Sequence, residues 1–208
     1  LVLDQSLEPW LDTVKLNLEL LEQFPAVERL SLGGGFKLGR MAGEPTLDIA
    51  DTAEQISAVV QNFASDTGRK IHIEVEPGTY FVAPIATLIT ELIDVKDTGE
   101  SGRQFAIVNS GMNDLLRPAM YGAQHPLITV LADGGERNQT NLVVAGHCCE
   151  SSDVFSVAPG NPEELAPRQM LQPQIGDYIA VESVGAYGAT MRPEMYNSYK
   201  PATEVFID

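Results

Sequence analysis

From Leu7 to Phe24, apolar residues fall at Leu7, Trp10, Leu11, Val14, Leu18, Leu21 and Phe24, a spacing of three or four that gathers them on one helix face. Pro25 ends that helix because it has no N–H to continue the ladder. A short strand over residues 27–32 follows and runs directly into three glycines. A second helix is predicted from Asp51 to about Ala64, with Ala53, Ile56, Val59, Val60 and Phe63 on one face and Gly68 breaking it. Next, Ile71-His72-Ile73-Glu74-Val75 alternates as a strand does and stops at Pro77-Gly78. Helix, strand, loop, helix, strand is the rhythm of a parallel α/β layer, in which sites gather at the C-terminal ends of strands. Both glycine-bearing loops, 33–36 and 76–79, occupy that end.

The pattern changes near Ala83. Residues 87–95 and 104–109 are β-rich and flank Asp97-Thr98-Gly99-Glu100-Ser101-Gly102, a strong turn signal, so a hairpin is predicted. Further strands fit 127–131, 141–145, 178–184 and 203–207, while 113–120 makes one helical turn or two. The stretch 158–176, with four prolines, reads as an irregular excursion. The expected organisation is therefore a partial α/β layer over 1–83 and an antiparallel β domain over 84–208. Two strands of βα type cannot close a barrel, and a parallel sheet left open at its edge and faces is a liability. The chain is accordingly expected to be a piece of a longer protein, beginning inside a domain.

Composition narrows the class. An apolar fraction of 44% marks a globular protein, and 13 basic against 29 acidic residues give a formal charge of −16. That charge repels phosphate backbones and anionic lipid headgroups, so neither nucleic acid nor membrane is an expected partner. No window approaches the roughly 18 uncharged apolar residues of a membrane helix, and Leu1-Val2-Leu3-Asp4 has no basic leader signal. A cytoplasmic protein is expected. The two cysteines are adjacent, with Cα atoms about 3.8 Å apart, short of the roughly 4.4 Å at which disulfides begin. They are read as free thiols. With His72, His125 and His147 scattered, no metal site is expected.

Four stretches carry candidate chemistry. Gly33-Gly34-Gly35-Phe36 lets backbone N–H groups approach an oxyanion closely, because no Cβ intervenes, and Glu76-Pro77-Gly78-Thr79 stands at the equivalent end of the next strand. Asn113-Asp114-Leu115-Leu116-Arg117-Pro118-Ala119-Met120-Tyr121 offers a guanidinium and a phenol; read alone, it could be a surface ion pair between Arg117 and Asp114 with Tyr121 half-buried. Gly146-His147-Cys148-Cys149-Glu150-Ser151-Ser152-Asp153 sets a thiol beside a carboxylate in a polar loop, poor material for packing. Finally, Gly185-Ala186-Tyr187-Gly188 presents a phenol between glycines.

Together these motifs resemble the fold-type III, pyridoxal-phosphate-dependent amino acid decarboxylases, the diaminopimelate decarboxylase family in particular. The resemblance spans essentially the whole chain, as the C-terminal half of an enzyme about twice as long. It implies the last part of a (β/α)8 barrel followed by a β-rich domain, pyridoxal 5'-phosphate as cofactor, and decarboxylation of meso-diaminopimelate to L-lysine and CO2. Under it, Gly33, Gly34, Gly35, Glu76, Pro77, Gly78 and Thr79 hold the cofactor, with Tyr187 on its phosphate and near the substrate. Arg117 and Tyr121 bind the distal carboxylate, Glu150 recognises the substrate amino group, and Cys149 is the proton donor. An acid with an ordinary pKa of about 8.5 suits return of a proton to carbon. Cys148 reads instead as a small buried hydrophobe, and Tyr196-Asn197-Ser198-Tyr199-Lys200-Pro201 continues the resemblance as structure.

One residue departs from the pattern. Thr79 stands where the family commonly has arginine, whose bidentate grip on a carboxylate threonine cannot reproduce. That leaves a D-ornithine or D-lysine decarboxylase, or a non-catalytic binding relative, as alternatives. The resemblance also implies a homodimer with shared active sites, a small amino acid substrate, and an upstream half carrying the Schiff-base lysine. None of Lys15, Lys37, Lys70, Lys96 and Lys200 lies in a matching motif. The chain alone is expected to be inactive.

Overall fold

A computed structural model describes residues 8–207, so Leu7 of the apolar stripe and the terminal residues 1–4 lie outside the described residues. The chain forms two compact units that divide between Phe81 and Val82.

In the first unit, helix α1 (Glu8–Leu21) and helix α2 (Ile49–Thr67) accompany two parallel strands, β1 (Arg29–Ser31) and β2 (His72–Glu74). Val14, Leu18 and Leu21 of α1 bury against Phe63 of α2, and Val27, Leu30 and Ile71 pack on that cluster. The helix ends at Leu21, four residues before Pro25, because Arg69 intervenes. Its guanidinium donates to the carbonyls of Leu21, Phe24 and Val27 at 2.6, 3.1 and 2.9 Å, satisfying acceptors that a helix end leaves open. Helix α2 starts two residues before the expected Asp51, since Asp48 caps it by accepting from the N–H groups of Ala50 and Asp51. Gly68, at φ 70°, closes it.

The second unit is built on a six-stranded sheet. Its strands are β3 (Leu88–Asp97), β4 (Gln104–Val108), β5 (Leu127–Val130), β6 (Gln139–Ala145), β9 (Arg168–Leu171) and β10 (Tyr178–Val181), in the order β5-β10-β3-β4-β6-β9. The predicted hairpin is β3–β4. The sheet is not wholly antiparallel as expected: β4 and β6 run parallel, with Phe105 opposite Val143. The connection between them is long enough for a crossover and carries helix α4 (Arg117–Tyr121) and β5. Thr129 Oγ1 on one edge strand donates to the Leu171 carbonyl on the other at 2.8 Å, so the sheet curls toward a barrel. Inside lie Leu92, Val108, Leu115, Leu142, Val144, Phe155, Ile179 and Val181.

Four further expectations are corrected. The stretch 158–176 is not irregular: it contains β8 (Asn161–Leu165), paired with β7 (Val157–Ala158), and β9. Pro159, Pro167 and Pro173 fall outside the strands, and Pro162 lies in β8, an edge strand where a missing N–H costs little. Residues 203–207 form no strand and have no strand neighbour among the described residues; Phe206 and Ile207 are 93% and 94% exposed. The strand at 178–184 stops at Val181, where Ser183 turns to φ 59°. A short helix, α3 (Gly78–Val82), replaces the simple loop expected after Pro77.

Leu92 is fully buried at the centre of the sheet. Leu92→Ala should lower stability by about 2–5 kcal/mol, from lost transfer energy and the cavity left behind. Ile89→Ala, on the same strand but 57% exposed, should cost within about 0.5 kcal/mol. Urea unfolding of both variants checks the contrast.

Candidate active site

At the C-terminal ends of β1 and β2 the two glycine-bearing loops meet. The Glu76 N–H donates to the Gly33 carbonyl at 2.8 Å, and the Leu32 N–H donates to Glu74 O at 2.9 Å. A Cβ on Gly34 would stand 2.7 Å from the Glu76 carbonyl, so only glycine permits this approach. Gly33 and Gly35 have φ of 73° and 89°, and space beside both is open. The N–H groups of Gly34 and Gly35 meet no backbone acceptor among the described residues. Alternating positive-φ glycines with free amides make an anion-binding concavity, and a phosphate fits it. Trp10 anchors the turn, its Nε1–H donating to the Gly34 carbonyl at 3.3 Å and its ring meeting Phe36 edge-on at 5.2 Å. Glu76 accepts at Oε1 from the Ser31 hydroxyl at 2.6 Å, while Thr79 sits in α3.

In the second unit, Arg117, Tyr121 and Tyr187 come together. The Arg117 guanidinium lies 5.7 Å from the Tyr121 ring centre and 5.6 Å from that of Tyr187. It does not pair with Asp114. That carboxylate is buried and accepts instead from the Ser110 hydroxyl and the Ala202 N–H, each at 2.7 Å. Arg117 forms no ion pair among the described residues, and its Nε is buried without a hydrogen bond. Burial pulls its pKa below the ordinary guanidinium range, with the two phenols partly offsetting that pull. A guanidinium stays charged regardless, so among the described residues a half-buried cation is held by aromatic faces. It can receive an anion from outside. Tyr187 is itself strained, at φ 59°, which costs of order 1–3 kcal/mol at a non-glycine residue.

Cys149 and Glu150 occupy a separate loop, and among the described residues no hydrogen bond or ring contact joins them to Arg117, Tyr121 or Tyr187. Cys149 is exposed and Cys148 is partly covered; both are free thiols. Asp153, only 4% exposed, organises this loop. It accepts from the Cys148 N–H at 2.7 Å and from the Met112 N–H at 2.6 Å, and glycines at 111 and 146 leave room that a Cβ would fill. Burial pushes the Asp153 pKa up, opposed by those two N–H groups. Asn113 Oδ1 accepts from His147 Nε2 at 3.1 Å and from Cys148 Sγ at 3.4 Å. Glu150 is held below the usual carboxylate range by the Ser152 N–H first, then by the Ser151 and Tyr196 hydroxyls.

No periodic signal in the sequence marks Asp153 or Asn113, whose side chains bond groups distant in the chain. The tract 196–201, read as structure, also touches the thiol loop, with Tyr199 stacked on His147 at 3.6 Å.

The pyridoxal-dependent decarboxylase C-terminal sheet domain matches residues 19–185. Diaminopimelate decarboxylase of Escherichia coli is 35% identical over 193 residues, covering 91% of this chain and 45% of that protein. A crystal structure of diaminopimelate decarboxylase superposes with a TM-score of 0.84 at 33% identity, covering 92% of this chain and 45% of that one. The Helicobacter pylori diaminopimelate decarboxylase complexed with L-lysine superposes with a TM-score of 0.76 at 30% identity, covering 92% of this chain and 43% of that one. The chain thus spans under half the length of these relatives.

Burial, with the charges of Asp153 and Asp114 nearby, pushes the Cys148 thiol from 9.0 up to about 11. Its raised folded pKa contributes stability that is complete below the unfolded value and is lost as pH rises through about 11. At pH 8 that shift leaves Cys148 with roughly one hundredth of an unperturbed thiol's thiolate. Iodoacetamide should therefore label exposed Cys149 first, and Cys148 should catch up only as pH approaches 11. Peptide mass spectrometry reads the two sites separately, and equal labelling at pH 8 would contradict this.

Proposed function

The chain belongs to the pyridoxal-dependent decarboxylases, and from that premise we propose that it is the C-terminal part of an enzyme converting meso-diaminopimelate to L-lysine and CO2. The observation that carries the choice of substrate is the Arg117 guanidinium, held between Tyr121 and Tyr187 without a protein anion among the described residues. A substrate with a second carboxylate supplies that anion, and a charge-assisted bond of this kind is worth about 1.5–3 kcal/mol. A substrate ending in an amine would bring a second cation to the same place.

The glycine turn fits a phosphate, so Gly33, Gly34 and Gly35 are assigned to that end of pyridoxal phosphate, and the family resemblance adds Pro77, Gly78 and Thr79 at the start of α3. A carboxylate repels a phosphate and suits a protonated ring nitrogen, so Glu76 is assigned to the pyridine. When bound, the cofactor supplies an electron sink for the pair left behind as CO2 departs. Cys149 then holds the proton delivered to the substrate carbon, and Glu150, ionised across the neutral range, faces the substrate ammonium. Thr79 contributes one hydroxyl where the family's arginine would contribute a fork, so more of the carboxylate recognition falls on Arg117.

Residues 1–83 are assigned to the barrel and 84–208 to the sheet domain. What supports a homodimer in which the Cys149 loop completes the partner's site is the family resemblance. Among the described residues no helix is long and apolar enough to cross a membrane, which is consistent with a cytoplasmic enzyme.

The complete protein, loaded with pyridoxal phosphate, should release CO2 from meso-diaminopimelate and not from D-ornithine. Arg117→Met should raise KM for diaminopimelate by about 10- to 150-fold. Cys149→Ala should lower kcat by about 100- to 10,000-fold, the usual contribution of a positioned acid, with cofactor absorbance retained. Turnover of D-ornithine alone would favour the sibling activity, and turnover of neither would sink the decarboxylase assignment.

A further inference from the structure

The segment after Pro193 crosses the thiol loop as a strap. Asn197 Oδ1 accepts from the Cys149 N–H at 2.7 Å, and the Tyr196 hydroxyl donates to Glu150 Oε2 at 3.3 Å. Two residues on, Tyr199 stacks on His147 with rings 3.6 Å apart and 9° from parallel, and its hydroxyl donates to the His147 carbonyl at 3.1 Å. The Ala202 N–H donates to buried Asp114 at 2.7 Å. Residues 147, 149 and 150 are thus all held from one short stretch.

That stretch is also where the backbone is least relaxed. Met195, Asn197 and Ser198 have φ of 62°, 52° and 67°, and none is glycine. Only asparagine among them enters this region with ease. Strain of this kind persists only where surrounding contacts over-determine it, and it concentrates at functional sites. A turn that merely connected two elements would take glycine at these positions. Here a side chain is retained at residue 197, and its amide oxygen is spent on the one backbone N–H next to the exposed thiol.

We propose that Tyr196 and Asn197 are positioning residues for the reaction, Asn197 fixing the backbone from which the Cys149 thiol projects and Tyr196 fixing the Glu150 carboxylate. This rests on the reading of Cys149 as proton donor and Glu150 as partner of the substrate ammonium. Buried Asp153 holds the same loop from its other side through the Cys148 N–H. The successive N–H groups of Cys148 and Cys149 are therefore each tied to a side-chain oxygen, so the backbone from which the thiol projects is held on both sides.

Asn197→Gly separates positioning from stability, because glycine accepts the positive φ without strain while removing the acceptor. The melting temperature of the complete enzyme should hold within about 2 °C. Its kcat for diaminopimelate should fall by about 10- to 100-fold, the scale of a misplaced reacting group, with KM little changed. Asn197→Asp keeps an acceptor oxygen and tolerates the same φ, so it should recover most of the lost rate. Tyr196→Phe should act mainly on KM, by about 2- to 10-fold, as loss of one hydrogen bond to the group facing the substrate.

A second readout does not depend on turnover. In the present chain, the rate of Cys149 alkylation by iodoacetamide at pH 8 should shift by about 2- to 10-fold in Asn197→Gly, the worth of one hydrogen bond. If the parent enzyme decarboxylates and Asn197→Gly matches it in kcat and in alkylation, the positioning role is overturned alone. An Asn197→Asp variant as slow as Asn197→Gly also overturns it, since the acceptor then is not what matters. If the parent does not decarboxylate but alkylation still responds to Asn197→Gly, the decarboxylase reading fails and the hold on the thiol stands.

Discussion

Asp153 is a carboxylate taken out of water with no ion pair among the described residues, and the second unit is arranged around that cost. An ionised group in such a place needs hydrogen-bond donors, and the chain supplies them from its backbone at Met112 and Cys148. Backbone donors can reach it only if the chain comes in close on both sides, which excludes a Cβ at positions 111 and 146. The carboxylate thereby ties together two loops distant in sequence. One carries the thiol and Glu150, and the other leads through Asn113 into α4 and Arg117.

Arg117 shows the opposite treatment of a partly buried charge. Asp153 is satisfied from within, whereas the guanidinium is given two aromatic faces and an orphaned Nε. Cation–π contact offsets roughly 0.5–2 kcal/mol of desolvation, less than a carboxylate would supply. The nearby acid that could have neutralised it, Asp114, is committed to Ser110 and Ala202. The arrangement keeps a cation available for an incoming anion, which is what recognition of a second carboxylate requires. The glycine turn of the first unit follows the same logic with backbone amides in place of a side chain.

Much of the scaffold was legible because it follows from periodicity. The apolar stripe of α1, the face of α2, the two parallel strands and the β3–β4 hairpin each repeat every few residues, and burial enforces the repeat. The failures came where partners decide the outcome. Residues 203–207 have the composition of a strand and no neighbour to pair with among the described residues, while the proline-rich stretch forms strands because most of its prolines fall between them and Pro162 lies on an edge. The parallel β4–β6 pair was equally hidden, since direction of pairing depends on the connection and not on the strand. Arg117, Tyr121, Cys149, Glu150 and Tyr187 were identified as residues from motif resemblance, but the contacts that orient them were not. Asp153, Asn113 and Asn197 act through backbone N–H groups or neighbouring side chains far away in sequence, and such bonds leave no pattern of spacing.

Strain marks the places where these contacts prevail over local preference. Tyr187 and Asn197 both occupy the left-handed region, where a side chain is tolerated only if something outside the residue holds it there. For Tyr187 that hold includes the ring set against Arg117; for Asn197 it is the amide oxygen set on Cys149. Gly185, two residues before Tyr187, lies so close to the Val82 carbonyl that a Cβ there would displace the backbone. The turn presenting the phenol is therefore wedged from behind while its ring is engaged in front. In both places the cost of an unfavourable φ is offset by contacts to a charged or reactive group, so backbone strain and orientation of the functional side chains have a common cause.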